Sequence, residues 1–222
     1  CWIVGITNAI NLIDGLDGLS SGVTLISCLS LLMVFALNGS PLIAIVLITA
    51  LAGALVGFLP FNFSPAKTFI GDTGSNFMGF SLAIISILGV AKTYTALVLI
   101  APIIILGMPI FDTLFAIFRG IIKGKSIKAV FKPDKGHLHH KLMAKGYTQK
   151  QAVLIMYGIT AILGMFAVIL LESGIWKALS FAILIVAIIA IGYKDMSKLM
   201  SEEENEKNKE SKVDEKHIRK QE

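Results

Sequence analysis

Residues 42–59 read LIAIVLITALAGALVGFL, an apolar run of 18 residues without a charged side chain. A helix of about 17–25 apolar residues is long enough to cross the hydrocarbon core of a bilayer. Further runs of this kind are residues 20–37, 94–118, 152–171 and 175–191, and a shorter one covers residues 76–91 and is predicted to begin earlier, within residues 71–75. The chain is 55% hydrophobic and 16% charged, whereas soluble domains carry about 25% charged residues. The pattern predicts an all-α, polytopic integral membrane protein with about six transmembrane helices.

The basic residues predict the orientation of these helices. The connection between residues 119 and 150 carries nine lysine or arginine residues and one acid, Asp134. Because basic connections lie in the cytoplasm, alternate threading places residues 8–17, 60–75 and 119–150 on the cytoplasmic side together with the C-terminus. Residues 1–193 are predicted to form a membrane-embedded domain. Residues 194–222 are predicted to be a charged cytoplasmic tail, disordered or partly helical.

A polar segment stands out against this apolar background. Residues 8–18 read NAINLIDGLDG, so Asn8, Asn11, Asp14 and Asp17 recur at every third position. Amide and carboxylate oxygens are ligands that Mg²⁺ prefers, and the neighbouring glycines allow the backbone to approach a ligand closely. Polar caps at a helix end would give a similar composition. We interpret the segment as a metal and phosphate site at a membrane face.

Three further features carry polar chemistry. Residues 69–75 read FIGDTGS, and Asp72 precedes a predicted helix whose N-terminus favours anions; an ordinary turn and cap is the alternative. Residues 137–140 read HLHH, which could bind a transition metal, grip phosphate oxygens or be simply solvated. Asp112 is an acid inside an apolar run, which requires a partner or contact with water; a pairing with Arg119 and a direct substrate role are both open.

Together these segments resemble the polyprenyl-phosphate N-acetylhexosamine-1-phosphate transferases of glycosyltransferase family 4. Residues 8–17 look like the N-x-x-N-x-x-D-G-x-D signature of that family, and residues 71–75 look like its G-D-x-G-S segment. Residues 109–112, PIFD, and residues 137–140 follow in the order of the family. The resemblance covers residues 1 to about 193 and is closest to the undecaprenyl-phosphate GlcNAc-1-phosphate transferases.

The resemblance implies a reaction at the cytoplasmic face of a bacterial plasma membrane. GlcNAc-1-phosphate would pass from UDP-GlcNAc, a UDP-N-acetylhexosamine, to undecaprenyl phosphate, a polyprenyl phosphate, with release of UMP. This would be the first step of a cell-envelope polysaccharide such as wall teichoic acid. The implied cofactor is Mg²⁺, with Mn²⁺ as an alternative. Membrane lipid is an expected partner, nucleic acid is not, and small-residue helix faces permit a homodimer.

The resemblance also assigns roles to individual residues. It places Mg²⁺ on Asp72 and Asn11, and it makes Asp14 a catalytic residue that orients the pyrophosphate, its metal or the sugar. The implied contacts to substrate come from Asn8, Gly15, Leu16, Asp17 and Phe69, with Gly15, Leu16 and Asp17 at uracil and Phe69 stacked on its ring. His137, His139 and His140 would bind the diphosphate and stabilise its developing charge.

Several alternatives stay open at this point. Phospho-N-acetylmuramoyl-pentapeptide transferases carry three consecutive histidines followed by an acid, whereas here His-Leu-His-His is followed by Lys141, which favours UDP-GlcNAc. A secondary transporter would place polar residues at the bilayer midplane within inverted repeats, and no such repeat is evident. A lipid-anchored scaffold would leave Asp72 without a role. The adjacent aspartates of the family are not matched, so we expect an N-terminally truncated chain that is inactive alone.

Overall fold

The computed structural model describes residues 1–91, 96–124 and 137–186, and it is helical wherever it has regular structure. The helices of these ranges are α1 (Trp2–Leu12), α2 (Leu19–Leu37), α3 (Leu42–Asn62), α4 (Gly71–Val90), α5 (Ala96–Ile105), α6 (Gly107–Gly124), α7 (Leu138–Ala144), α8 (Gln149–Ser173) and α9 (Ile175–Val186). The predicted all-α fold class is confirmed. Residues 1–175 form one compact unit. The predicted domain boundary at residue 193 and the charged tail lie outside the described residues.

The apolar helices confirm a polytopic membrane protein. In the described ranges, α2, α3, α4 and α8 are each long and apolar enough to cross a membrane, and a fifth span results when α5 and α6 are taken together. The sequence predicts about six spans, and the described residues contain four or five. The run predicted for residues 175–191 begins as α9, and residues 187–191 lie outside the part of the chain that the structure describes.

The span predicted for residues 94–118 is not straight, because the chain bends by 65° between Val98–Ile105 and Gly107–Gly120. The backbone N–H of Leu106 donates to Pro102 O and that of Ile110 donates to Leu106 O. Pro109 lies between them and has no N–H to offer the carbonyl one turn before it. Proline is a common cause of a sharp kink in a helix. The bend starts α6 in a new direction, and α6 carries Asp112.

Close helix packing positions the polar segments. Among the described helices, α1 lies against α4, and α2 packs between α3 and α8. A Cβ atom added at Gly79 of α4 would lie 2.7 Å from Thr7 Cα on α1. Small residues let membrane helices approach in this way, since lipid tails provide little hydrophobic drive for helix association. The outer surface of α3 exposes Leu42, Ile43 and Val56, as expected of a helix that faces lipid.

Candidate active site

The first polar segment is divided between a helix and a turn. Asn8 and Asn11 lie on α1, which ends at Leu12, whereas Asp14 and Asp17 lie in the turn that leads to α2. Gly18 ends this turn with a φ of +77°, a left-handed conformation that favours glycine. Its carbonyl accepts a hydrogen bond from the Tyr157 hydroxyl of α8. The two amides are therefore presented by α1, and the two carboxylates by the turn that follows it.

Asn11 meets the second polar segment directly. The Ser75 hydroxyl donates a hydrogen bond to Asn11 Oδ1 over 2.6 Å, and Ser75 is fully buried. Asp72 lies in the first turn of α4, one turn before Ser75. The two residues that the resemblance assigns to Mg²⁺ are therefore brought to the same helix pair. Ser75 belongs to the G-D-x-G-S segment but was not predicted as a site residue, because a serine at a helix start is usually a local cap.

Asp14 extends this cluster. Its Oδ1 accepts a hydrogen bond of 2.6 Å from the Ser20 hydroxyl at the start of α2. Burial raises the pKa of Asp14, the Ser20 hydrogen bond opposes that rise, and the negative charge of Asp72 adds to it. The charge of Asp72 therefore opposes ionisation of Asp14. The turn after α1 and the start of α4 thus bring negative charge to the end of α1, which itself carries no acid.

The donor set of this cluster fits a hard cation. Asn11, Asp14 and Asp72 offer amide and carboxylate oxygens, the ligand type that Mg²⁺ selects. Across residues 1–91, 96–124 and 137–186, no three His, Cys, Asp or Glu side chains are placed to hold a metal by themselves. Mg²⁺ usually takes one or two carboxylates together with substrate phosphates and water. The arrangement therefore suits a metal shared with a phosphate substrate rather than one enclosed by protein.

A second cluster holds the connection between α3 and α4. Asp17 Oδ2 accepts a hydrogen bond from the backbone N–H of Ala66 over 3.1 Å. Buried Asn62 accepts from the Ser21 hydroxyl and donates to Thr68 O, at 2.6 and 2.9 Å. Phe69 follows Thr68 and is 74% exposed. Hydrogen bonds thus fix the connection at Ala66 and at Thr68, while the ring of Phe69 stays exposed.

Asp112 on α6 holds the beginning of α7. Its Oδ2 lies 2.9 Å from His137 Nδ1, and its Oδ1 accepts a hydrogen bond of 2.7 Å from the backbone N–H of Leu138. Asp112 and His137 are each 8% exposed. The partner expected for an acid in an apolar run is therefore present. It comes from a different helix, and spacing along the sequence could not have identified it.

His139 is the most enclosed of the three histidines. It is 1% exposed, and a Cβ atom added at Gly15 would lie 2.7 Å from its Nε2. Its Nδ1 has no hydrogen-bond partner among the described residues. Burial lowers the pKa of His139 to about 4, and the neighbouring His140 also lowers it. Any contact between His139 and a diphosphate would therefore be made by a neutral imidazole.

The three polar segments meet at one place. Asn11 contacts the second segment through Ser75, and Gly15 faces the third through His139. The His139 ring lies 5.8 Å from that of His137 and 4.2 Å from that of exposed His140. Residues 133–136, which precede these histidines, lie outside the described residues. The described parts of the three segments therefore lie close together, whereas the predicted cytoplasmic side stays a prediction.

An apolar groove of about 330 Å³ opens beside Asp112. The other residues that line it are Met108, Phe111, Phe115, Leu138, Lys141, Ile159 and Leu163. The Lys141 ammonium lies 3.9 Å from the centre of the Phe115 ring, within the range of a cation–π contact. The groove therefore combines an apolar wall with one acid and one base.

The burial of His139 predicts a pH-dependent stability. Because its pKa lies near 4 when folded and near 6.5 when unfolded, only the unfolded chain takes up this proton as the pH falls through that window. The free energy of unfolding should therefore decrease as the pH falls from about 6.5 to about 4. His139→Gln should flatten this decrease in thermal unfolding in detergent. His140→Gln, at the exposed neighbour, is the control, and equal decreases in both variants would contradict the prediction.

These features define a polytopic membrane protein with a cluster of amide and carboxylate side chains at its helix ends. The family model described as "Glycosyl transferase family 4" matches residues 1–90, and the resemblance predicted from the sequence is confirmed. The chain is 47% identical over 190 residues to a probable undecaprenyl-phosphate N-acetylglucosaminyl 1-phosphate transferase of Bacillus subtilis, covering 86% of this chain and 52% of that protein.

Two other relatives show the breadth of the similarity. A decaprenyl-phosphate N-acetylglucosaminephosphotransferase of Mycobacterium leprae is 37% identical, over 69% of this chain and 42% of its own length. A phospho-N-acetylmuramoyl-pentapeptide-transferase of Chlamydia trachomatis is 39% identical, over 75% of this chain and 48% of its own length. The chain spans about half the length of the curated relatives it matches.

Proposed function

We propose that this chain carries a membrane-embedded phospho-N-acetylhexosamine transferase site that transfers GlcNAc-1-phosphate from UDP-GlcNAc to undecaprenyl phosphate. The observation that carries the proposal is the meeting of Asn11, Asp14 and Asp72 beside the connection that presents Phe69 and beside the histidines of α7. The names of the relatives from B. subtilis and M. leprae support this donor and a polyprenyl acceptor.

In the proposed reaction, an oxygen of the lipid phosphate attacks the sugar-bearing phosphorus of UDP-GlcNAc. A new P–O bond forms, the bond to the UMP oxygen breaks, and undecaprenyl-diphospho-GlcNAc and UMP result. The acceptor is already an anion, so positioning and charge neutralisation supply most of the catalysis. Asn11 and Asp72 would hold Mg²⁺, with Mn²⁺ as an alternative. When bound, the metal neutralises charge on the diphosphate.

The chain's own residues would orient the donor. Asp17 fixes the connection after α3 through Ala66, and exposed Phe69 is available to stack on uracil. Gly15 and Leu16 belong to the turn that also carries Asp17. Asn8 lies before this turn, on the exposed side of α1. Asp14, oriented by Ser20, would keep the diphosphate aligned. These positions are consistent with the roles that the resemblance assigns to them.

The groove beside α6 suits the acceptor. Its apolar side chains, including Phe111 and Leu163, could pack along an isoprenoid tail, and Lys141 at the same groove could attract the phosphate. Neighbouring His137 and His140 would provide further donors to phosphate oxygens. A single substrate with a long apolar tail and an anionic head explains both halves of the groove.

The location of the reaction follows from the basic connection between residues 119 and 150. We place the site and the C-terminus on the cytoplasmic side of a bacterial plasma membrane, where nucleotide sugars are available. The product would feed a cell-envelope polysaccharide such as wall teichoic acid. Small-residue helix faces would allow a homodimer in the membrane.

A second candidate is transfer of phospho-N-acetylmuramoyl-pentapeptide to the same lipid. The relative from C. trachomatis, 39% identical over 175 residues, favours it. The His-Leu-His-His sequence followed by Lys141 favours UDP-GlcNAc, because the pentapeptide transferases carry three consecutive histidines and then an acid. The two reactions share their chemistry and differ in the sugar that the donor carries.

The proposal is tested with UDP-GlcNAc labelled in the sugar. Membranes that contain the product of the reading frame encoding this chain would receive undecaprenyl phosphate and Mg²⁺. We expect label in the lipid extract and one UMP released for each sugar transferred, with both lost on chelation of divalent cations. Release of UDP instead of UMP would contradict the proposal, because the sugar would then have moved without its phosphate.

The exposed ring of Phe69 gives a specific prediction for donor binding. Stacking of a base on an aromatic side chain contributes about 1–3 kcal/mol by alanine substitution. Phe69→Ala should therefore raise the KM for UDP-GlcNAc about tenfold or more and change kcat less. Phe61→Ala, at a phenylalanine of α3 that is 56% exposed, is the matched control. Equal KM values for the two variants would contradict the predicted stacking of Phe69 on uracil.

A further inference from the structure

We infer that Asp112 is a positioning residue, which fixes the ring and the proton of His137 so that Nε2 is the nitrogen offered to phosphate. This inference rests on the proposed function. It concerns an acid within the apolar part of the chain, for which neither the family resemblance nor the similar proteins supply a role. Two observations carry it: the bonds that Asp112 makes, and the contrast between His137 and His139, two residues further along the chain.

Asp112 uses both carboxylate oxygens. Oδ2 lies 2.9 Å from His137 Nδ1, and Oδ1 accepts the backbone N–H of Leu138 over 2.7 Å. Both side chains of the pair are buried, so water does not compete strongly for these bonds. One carboxylate therefore fixes the imidazole and also the residue with which α7 begins. The ring and its helix cannot rotate independently of α6.

The hydrogen bond determines the location of the imidazole proton. An ionised carboxylate can only accept, so Nδ1 of His137 must carry a proton. Nε2 is then the nitrogen left for a second partner. It acts as a donor to phosphate when the ring is cationic and as an acceptor when it is neutral. A carboxylate behind a functional histidine commonly sets the tautomer in this way.

Among the described residues, His139 lacks the carboxylate partner that His137 has. Its ring is nearly parallel to that of His137, at an angle of 7° and a centroid distance of 5.8 Å. Its Nδ1 has no partner within the part of the chain that the structure describes, and its Nε2 faces Gly15. His137 and His139, two residues apart in one motif, therefore differ in their hydrogen-bond partners. The carboxylate of Asp112 distinguishes His137 as the oriented one.

A double-mutant cycle tests the role in catalysis. Asp112→Asn is nearly isosteric and should lower kcat for UMP release about 10–100-fold, the range found when the hydrogen-bond partners of metal-bound histidines are lost. The KM for UDP-GlcNAc should change little. If Asp112 acts through His137, Asp112→Asn should have almost no further effect in a His137→Ala background. An equal loss of kcat in both backgrounds would overturn the inference, because it would show a purely structural contribution.

A second measurement detects which nitrogen of His137 is protonated and does not depend on activity. In ¹⁵N-histidine-labelled protein, solid-state NMR should show His137 protonated at Nδ1, with the signal assigned by its loss in His137→Gln. In Asp112→Asn, the amide nitrogen would donate to Nδ1, so the proton should move to Nε2. An unchanged His137 signal in Asp112→Asn would overturn the inference. Thr113→Val, next to Asp112 on α6, controls for local packing and should leave both the signal and kcat unchanged.

The two experiments separate this inference from the proposed function. If the unmodified protein transferred no sugar from UDP-GlcNAc, the proposed donor would be contradicted. The NMR signal would still report whether Asp112 determines the proton position of His137. A normal transfer activity with additive kcat losses would retain the proposed function and remove the positioning role of Asp112.

Discussion

Asp72→Asn is expected to reduce UMP release from UDP-GlcNAc by about 10²–10³-fold, the scale of losing a preorganised electrostatic group in an active site. The substitution keeps the shape of the side chain and removes its charge. Asp72 lies in the first turn of α4, one turn before the serine that is hydrogen-bonded to Asn11. Loss of its charge would weaken the proposed Mg²⁺ site, and raised metal concentration should restore part of the activity.

Thr73→Ala is the matched control for Asp72→Asn, because Thr73 is an exposed neighbour in the same turn of α4. It should retain nearly full activity. The measurement is initial UMP release across a series of Mg²⁺ concentrations for the unmodified protein and both variants. If Asp72→Asn kept a third or more of the activity at low Mg²⁺, Asp72 would not be a metal ligand.

Gly79→Ala should also inactivate the protein, although residue 79 carries no chemistry. The new Cβ would lie 2.7 Å from Thr7 Cα and 3.1 Å from two backbone oxygens of α1. Backbone atoms cannot rotate away, so α1 must move from α4. Asn11 lies one turn after Thr7, and its bond to Ser75 spans the same interface. A displacement of about 1 Å at a catalytic group can lower activity about 10²-fold.

Gly53→Ala provides the comparison for this prediction. Gly53 lies on α3, and a Cβ atom there meets nothing within 4 Å. Gly79→Ala should therefore lose activity and unfold at a lower temperature, since overpacking destabilises by about 1–3 kcal/mol, whereas Gly53→Ala should do neither. Similar activities and melting temperatures for the two variants would show that the α1–α4 contact does not hold the site together.

Much of the fold follows from residue types along the chain. The run at residues 42–59 has no charge and becomes α3, and the polar residues before residue 76 become the start of α4, as the sequence predicts. The bend between α5 and α6 was not predicted, because apolar content alone does not show which carbonyl loses its partner at Pro109. Hydropathy reports length and burial, whereas the bend depends on one missing N–H.

The candidate site was predictable in its composition more than in its bonds. The recurrence of Asn8, Asn11, Asp14 and Asp17 is enough to indicate an oxygen-rich site. The partners Ser75 and Ser20 are common residues with no distinctive pattern, so only the folded chain identifies them. The burial of His139 against a glycine likewise depends on how α7 packs. Long-range packing, which no local pattern encodes, therefore separates the roles of the three histidines.

The most direct test of the central claim compares two donors in one assay. Membranes with the product of the reading frame that encodes this chain, and matched membranes with Asp72→Asn, would receive undecaprenyl phosphate, Mg²⁺ and either UDP-GlcNAc or UDP-MurNAc-pentapeptide. We predict UMP release with UDP-GlcNAc that is lost in Asp72→Asn. Release with the pentapeptide donor alone would contradict the assigned sugar, and no release with either donor would contradict phosphosugar transfer itself.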